Sequence, residues 1–359
     1  MSHSKVFVPL VIASMGACAS VHAQSSLQLY GVVDIAAGSF QYSGAKGSAA
    51  NARLTKVEGN QMITSFIGLK GTEVLGGGLK AGFVIESFLR PDSGASGRYG
   101  SSDPFWSRAA NVWVQGGLGQ LTLGRQGSLL FVNTLQFNPL GAAFGLSPAI
   151  RLTFGGTKVY DKSDSGWSNA LTYQTPNLSG FTGAVQVQFG EDASKDERTS
   201  YALSARYVSG PFAIGGAWQT MRSNEAPKPK NLTAGQAQNF GMLGVSYDAG
   251  FAKFFGQYGA FANKGFSVID DNIDTRLYQV GAAVPVTRSG KLLVSYGQSK
   301  EEAASGSTPA DVKHSILTLA YDHYLSKRTD VYAAFMLDDE DKANSKKGYT
   351  YTVGVRHAF

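Results

Sequence analysis

Read at every second position, residues 349–359 split into two faces. Tyr349, Tyr351, Val353, Val355, His357 and Phe359 make an apolar, aromatic face. Thr350, Thr352, Gly354, Arg356 and Ala358 make a small and polar one. Successive side chains of a strand point to opposite sides, so this is a strand with one oily and one wet face. A water-soluble sheet could use such a strand. Aromatic residues at both ends of the oily face, however, match a strand whose ends sit at two membrane interfaces. A last strand of this kind is expected to pair with the first, leaving no unpaired edge in lipid.

The same alternation opens the chain. Over 27–40, Leu27, Leu29, Gly31, Val33 and Ile35 oppose Gln28, Tyr30, Val32 and Asp34. Strands follow at 63–71 and 79–90, around a turn at 73–78, and then at 108–115 and 120–126, around Gly116-Gly117-Leu118-Gly119. Further clear strands are 182–189, 201–207, 212–221, 251–258, 292–296, 316–321 and 331–337. With the weaker ones the count is roughly sixteen, an even number as bacterial barrels require. Short turns alternate with long polar loops near 191–197, 222–236, 263–274, 301–312 and 338–348. That asymmetry between the two ends of the strands predicts an all-β, transmembrane antiparallel barrel. Helical periodicity is weak throughout, and no linker divides the chain.

Composition narrows the picture. In 359 residues there are 44 Gly, 21 Phe and 16 Tyr, with 16% charged residues and a mean hydropathy of -0.10. Residues 1–23 are expected to be a signal peptide, with Lys5 as the positive region, 6–17 as the apolar region and Val21-His22-Ala23 before the cut. The barrel would then occupy 24–359. The lone cysteine, Cys18, lies in this leader, so no disulfide is expected in the mature chain. No run of about 18 apolar residues follows, so no transmembrane helix is expected. The net charge of +6 is mild, and no Lys/Arg cluster is interleaved with aromatics, so nucleic acid is not an expected partner.

With these features the chain resembles the sixteen-stranded, trimeric general porins of Gram-negative outer membranes, in particular their β-proteobacterial branch. The likeness rests on Leu29-Tyr30-Gly31-Val32-Val33-Asp34, Gly68-Leu69-Lys70-Gly71-Thr72-Glu73, Gly77-Gly78-Leu79-Lys80-Ala81, Leu121-Thr122-Leu123-Gly124-Arg125-Gln126 and the terminal Phe359. It spans about 24–359. It implies a homotrimer among outer-membrane lipid and lipopolysaccharide, passing small hydrophilic solutes and ions by passive diffusion. It also implies that the long loop at about 127–166 folds into the lumen as a constriction.

Carried over residue by residue, the resemblance places Arg108, Lys70, Asp34 and Glu86 on the pore wall, where the strand alternation also gives them lumen parity, and Arg125 at the start of the infolded loop. Arg108 could line the pore or only pair with Glu86 or Asp34; Arg125 could tie the loop base or a neighbouring subunit. Two departures weaken the positive wall: Phe66 stands where the family commonly has Arg, and Gly166-Trp167 stands where another Arg is common. The loop itself has no Asp or Glu over 127–160; its charges are Arg151 and Lys158. Leu129, Leu130, Phe131, Phe137, Leu140 and Phe144 make it apolar, for packing against the wall or for a greasy constriction. A weak to moderate preference for anions follows, because charge at the narrowest point sets the sign.

Other functions fit less well. The mature chain would keep only His314, His323 and His357, with no Gly-x-Ser-x-Gly, His-Glu-x-x-His or phosphate loop. Neither catalytic residues nor a cofactor are expected. A channel specific for small organic anions is the main alternative; a barrel enzyme or an adhesin are others. The acid runs Glu191-Asp192, Asp270-Asp271 and Asp338-Asp339-Glu340-Asp341 could bind divalent cations, but solvated loop charge explains them as well.

Overall fold

The computed structural model describes residues 26–98, 103–154, 165–190, 199–222, 237–264, 274–302 and 311–359. The expected leader at 1–23 lies outside them. The first strands are β1 (Ser26–Phe40), β2 (Gly44–Ala45), β3 (Leu54–Gly59), β4 (Phe66–Gly76), β5 (Leu79–Arg90) and β6 (Ala95–Ser96). Next come β7 (Ala109–Gly116), β8 (Gly119–Gly127), β9 (Gly166–Gln174), β10 (Phe181–Gln188), β11 (Ser200–Ser209), β12 (Phe212–Met221) and β13 (Ala237–Asp248). The last are β14 (Lys253–Lys264), β15 (Asp274–Pro285), β16 (Gly290–Glu302), β17 (Val312–Tyr324), β18 (Thr329–Glu340), β19 (Ser345–Lys346) and β20 (Gly348–Ala358). Strands β2, β3, β6 and β19 are short. The other sixteen pair antiparallel, each with its neighbours, into a closed barrel.

Closure runs through β1. One edge pairs with β20 from Val32↔Ala358 to Ser39↔Tyr351. The other pairs with β4 over Ser26–Val32 and with β3 over Ile35–Phe40. Phe359 completes the seam: its N–H donates to Gly31 O at 3.1 Å, and its carbonyl accepts from Gly31 N at 3.2 Å. A Cβ on Gly31 would lie 2.6 Å from the Phe359 ring and 2.5 Å from Phe66 O, so only glycine lets the last ring lie across the first strand there. The ladder between the first and last strands thus runs from Gly31–Phe359 to Ser39–Tyr351 and closes the sheet, as a strand pair in lipid requires.

The alternation read from the sequence sorts the faces. Tyr351, Val353, Val355 and Phe359 are exposed outward, as are Leu27 and Leu29, whereas Asp34, Ala36, Thr350 and Thr352 are buried on the inner side. Register then places outer-face residues at common heights. Arg276, Lys300 and Lys313 are partners across β15, β16 and β17. The next row is Tyr278, Gln298, Ser315 and Asp339, and the next Val280, Tyr296, Leu317 and Leu337. Charge, then hydroxyl and amide, then apolar side chains with tyrosine is the gradient of an interfacial girdle.

The connections at the periplasmic-type end are tight turns, such as Gly77-Gly78 and 286–289. The described part of the long connection, 128–154, folds against the inner wall and carries two helices, α1 (Leu129–Gln136) and α2 (Pro148–Phe154). Weak helical periodicity hid both, since each spans about two turns. Their starts are nonetheless written locally. Ser128 Oγ accepts from Phe131 N at 3.3 Å, and Ser147 Oγ from Ile150 N at 3.3 Å, with Pro148 at the first helical position.

Candidate functional site

Inside the barrel the infolded connection rests on β11 to β18. Leu130, Ile150 and Phe154 pack with Ala217, Phe240, Met242, Phe261 and Leu277. Leu140, Ala143, Leu146 and Leu152 pack with Leu293, Ile316, Ala320 and Met336. Glycines on the wall receive the larger knobs. Gly215 and Gly244 are direct cross-strand partners, and their missing side chains make a socket for Phe137. A Cβ on Gly244 would stand 2.3 Å from Phe137 Cδ2. Gln257 bridges wall and loop, donating to Thr134 O at 3.1 Å and Phe137 O at 2.9 Å. Most of the apolar residues of the loop are therefore packing, and Phe137 is fully buried.

Arg151 belongs to this seated side. Its Nη2 lies 3.3 Å from Asp338 Oδ2, its Nη1 donates to Gly145 O at 3.3 Å, and the guanidinium stacks on Tyr42 at 4.4 Å. Asp338 also accepts from Ser43 Oγ and meets His314 Nε2, each at 2.6 Å. The acid run that the alternation left in a loop is thus partly strand: Asp338, Asp339 and Glu340 end β18. Asp339 pairs with Lys347 at 2.8 Å, and Glu340 pairs with Lys342. Among the described residues no group of three or more acidic, His or Cys side chains could hold a metal. The runs at 191–192 and 270–271, and Lys158, lie outside the described residues.

Across a cleft, β4, β5, β7 and β8 face Phe131, Leu135 and Phe144 of the loop. Arg108 forms an ion pair with Glu86, and its guanidinium carbon stands over the Phe66 ring, 4.0 Å from its centroid. Glu86 also accepts from Tyr30 Oη at 2.5 Å, and Lys70 Nζ stands 4.6 Å over the Tyr30 ring. Phe66, Lys70, Glu86 and Arg108 are therefore one cluster, with Tyr30 at its centre. Phe66 is a platform that holds the guanidinium by a cation–π contact.

Alternation alone does not bring the arginines here. Val112 and Val114, which share the parity of Arg108, are exposed outward. Arg108 precedes β7 and is held by its backbone N–H donating to Glu86 O at 3.1 Å. Arg125 sits at a register shift between Gly124 and Gln126. Its Nε donates to Ser107 O at 2.6 Å and its Nη1 to Ser168 Oγ at 2.7 Å. Both cations reach the lumen where the ladder is irregular, as bulges at barrel rims allow.

Asp34 is elsewhere in the wall and is fully buried. Its Oδ2 accepts from Met62 N at 2.5 Å and Ile63 N at 2.8 Å, and its Oδ1 from Tyr332 Oη at 2.6 Å. It pins the break between β3 and β4. Arg98 was not singled out by sequence. It is nearly buried, with Nη2 at 3.0 Å from Asp103 Oδ1, Nη1 donating to Ser165 Oγ at 3.0 Å, and its guanidinium 5.3 Å from the Phe88 centroid. The wall and the loop enclose a cleft of about 260 Å³; Arg98, Arg108, Arg125 and Glu86 line one side, Phe131, Leu135 and Phe144 the other.

Comparison with known proteins fits this geometry. Residues 10–343 match the family model described as Gram-negative porin. Outer membrane porin protein 32 of Delftia acidovorans is 28% identical over 98% of this chain and 99% of its own. The major outer membrane protein P.IB of Neisseria meningitidis serogroup B is 26% identical over 99% of each chain. Among solved structures, an anion-selective porin from Comamonas acidovorans superposes with a TM-score of 0.74 at 27% identity, covering 94% of this chain and 100% of the other. The barrel, its infolded loop and these matches show that the chain belongs to the Gram-negative porin family: it is an integral outer-membrane channel for passive diffusion, and not an enzyme.

Proposed function

We propose that the channel narrows at the cleft between the loop and the β4–β8 wall, and that this cleft gives it a weak to moderate preference for anions. The observation that carries the reading is the charge of the cleft. Its described lining holds three guanidinium groups and one carboxylate, Glu86, and the loop residues facing it are apolar. A low-dielectric loop focuses the field of the wall, so the sign of the wall decides. Glu86, already bound to Arg108, tempers the strength. The similar porin from Comamonas acidovorans is anion-selective, which agrees in sign. The test is the reversal potential in a roughly tenfold KCl gradient. A chloride preference that falls in Arg108→Ala supports the reading; a native channel that prefers K⁺ overturns it. Lys158 is proposed as a further positive charge on the loop, with Lys158→Ala as its test. Raising the salt should blunt the preference, because the screening length is roughly 10 Å at 0.1 M.

Assembly as a homotrimer is proposed from the family, and predicts a heat-labile band near three times the monomer mass on a denaturing gel. Monomeric migration of unheated protein, with monomers by light scattering in mild detergent, would count against it. The cationic row Arg276, Lys300 and Lys313, set just above Tyr278 and Tyr296, is proposed to meet lipid or lipopolysaccharide headgroups.

A further inference from the structure

We infer that the constriction cleft is a binding subsite for small monocarboxylates carrying an aromatic or bulky apolar group, such as benzoate. The inference rests on the constriction proposed above and names the solute class that it favours. Each face of the cleft supplies half of the recognition. Arg108 supplies the charge: its side chain is 36% exposed, so part of the guanidinium stands open to the lumen although Glu86 takes one edge. Phe66 lies beneath it, with the ring centroid 4.0 Å from the guanidinium carbon, and the N–H groups that Glu86 does not take are donors from which a carboxylate can accept. Arg125, tied in place by Ser107 O and Ser168 Oγ, adds positive potential without having to move, whereas the charge of Arg98 is largely balanced by Asp103.

Opposite them, Phe131, Leu135 and Phe144 are partly buried against the α1–α2 cluster and show their remaining surface to the cleft. Phe131 is held edge-on to Phe154 at 5.1 Å, so its ring is a fixed surface. An inorganic anion or acetate uses only the guanidinium side. A sugar would desolvate hydroxyls against the phenylalanines without a partner, which costs binding. An anion with a ring uses both sides. At about 260 Å³ the cleft is smaller than the roughly 300 to 1,000 Å³ of sites for drug-sized ligands, which sets the scale at a single ring. Since a channel must release what it binds, the subsite is expected to be weak and to act as a way-station.

The experiment is single-channel recording of the full-length protein in chloride, with benzoate, acetate or benzyl alcohol added. Benzoate should interrupt the current at about one-tenth of the acetate concentration, the ratio that burying part of one ring provides, and benzyl alcohol should do nothing comparable. Phe131→Ala and Phe144→Ala should bring the benzoate-to-acetate ratio toward one. Arg108→Ala should weaken both anions and leave their ratio near the native value. Lys327→Ala, in the exposed turn between β17 and β18, serves as a control and should change neither. Equal action of benzoate and acetate on the native channel, or a ratio unmoved by both phenylalanine variants, overturns the inference. If the loop variants lose the heat-resistant band, Phe144→Leu, which keeps an apolar contact of smaller area, should lower the ratio only partly. A native channel that prefers K⁺ while retaining the tenfold ratio would sink the selectivity reading and leave this subsite standing.

Discussion

On the β11–β18 side of the lumen, loop and wall are one packed body; on the β4–β8 side they stand apart across a cleft. The difference lies in residue type at matching depth. Where the loop sits, the inner face carries glycine, alanine, methionine and leucine, and Phe137 enters the notch between Gly215 and Gly244. Where a cleft remains, the inner face carries Phe66, Glu86, Arg108 and Arg125; Arg108 meets Glu86 and Phe66, and Arg125 donates to Ser107 O and Ser168 Oγ. Over its described residues 128–154 the loop carries no carboxylate and much apolar surface, which it buries against the other wall. One side of the lumen is thus spent on holding the loop, and the other is left to meet solute.

The largest expected effect comes from removing the knob. Phe137→Ala should destabilise the seated loop by about 3–5 kcal/mol, the usual cost of deleting a buried Phe. Because the barrel ladder does not depend on Phe137, the loss should appear as a larger, noisier conductance rather than as unfolding. Gly244→Ala fills the same socket from the wall and should cost about 1–3 kcal/mol by overpacking. Combined, the two changes should cost less than their sum, since each removes what the other clashes with or leaves empty. Strict additivity, or native conductance in Phe137→Ala, would show that the socket does not hold the loop.

Next in size is Asp34→Asn. The Asp34 carboxylate accepts from two backbone N–H groups and the Tyr332 hydroxyl in a fully buried place. An amide nitrogen in place of one oxygen sets a donor against a donor, at a cost of about 1–3 kcal/mol. Hydrogen exchange at Met62 and Ile63 should speed up while α1 stays protected. If α1 loosens equally, the β3–β4 break and the loop seat are one unit and the comparison fails.

Much of the barrel was legible in the sequence, because alternation has a period of two and the barrel obeys it: the outward set of β20 and the inward Asp34 follow from counting. Charge at the site was legible only in part. Arg108 and Arg125 enter the lumen through a strand end and a bulge, where counting breaks down: the lumen parity read for Arg108 does not hold along β7, whose Val112 and Val114 share its parity and face outward. Arg98 gave no signal, since its role depends on Asp103 and Phe88 meeting it in space. The helices were short enough to escape periodicity, although Ser128 and Ser147-Pro148 mark their starts. The glycine socket could not be foreseen: Gly215 and Gly244 are far apart in sequence, and only register makes them neighbours.

Two arginines sharpen the comparison further. Arg151 is on the loop and paired with Asp338; Arg108 is on the wall and more than a third exposed. Arg108→Ala should shift the reversal potential toward K⁺, by up to about 1 kcal/mol in relative barrier or fivefold in permeability ratio. Arg151→Ala should shift it less, and should instead raise current noise by loosening the seat. Equal shifts would mean that the field at the constriction comes from the loop as much as from the wall.

The smallest effect is in pH. On the open side Arg98 and Asp103 are joined by an ion pair, whereas α1 on the seated side is held by apolar contacts and backbone or amide hydrogen bonds. Burial of the Asp103 carboxyl works to raise its pKa, but the hydrogen bonds and charge of Arg98, with Arg125 behind it, outweigh that and hold the group below its ordinary 3.8. A folded-state pKa below the unfolded one means that the contact stabilises fully above 3.8 and is lost as pH falls through the lower, folded value. No change is therefore expected between neutral pH and about 5, and loosening begins only in stronger acid. Amide exchange at Arg98, whose N–H donates to Asp103 Oδ2 at 2.6 Å, should then accelerate beyond the intrinsic pH dependence. Exchange of the Val132 amide in α1 should follow the intrinsic curve alone, because nothing that holds the helix titrates there. Asp103→Asn should abolish the acid step at Arg98 and leave α1 as it was. Simultaneous loosening of both segments would mean that the two sides of the lumen are coupled through the loop, and that the seated side cannot be treated as a fixed floor for the cleft.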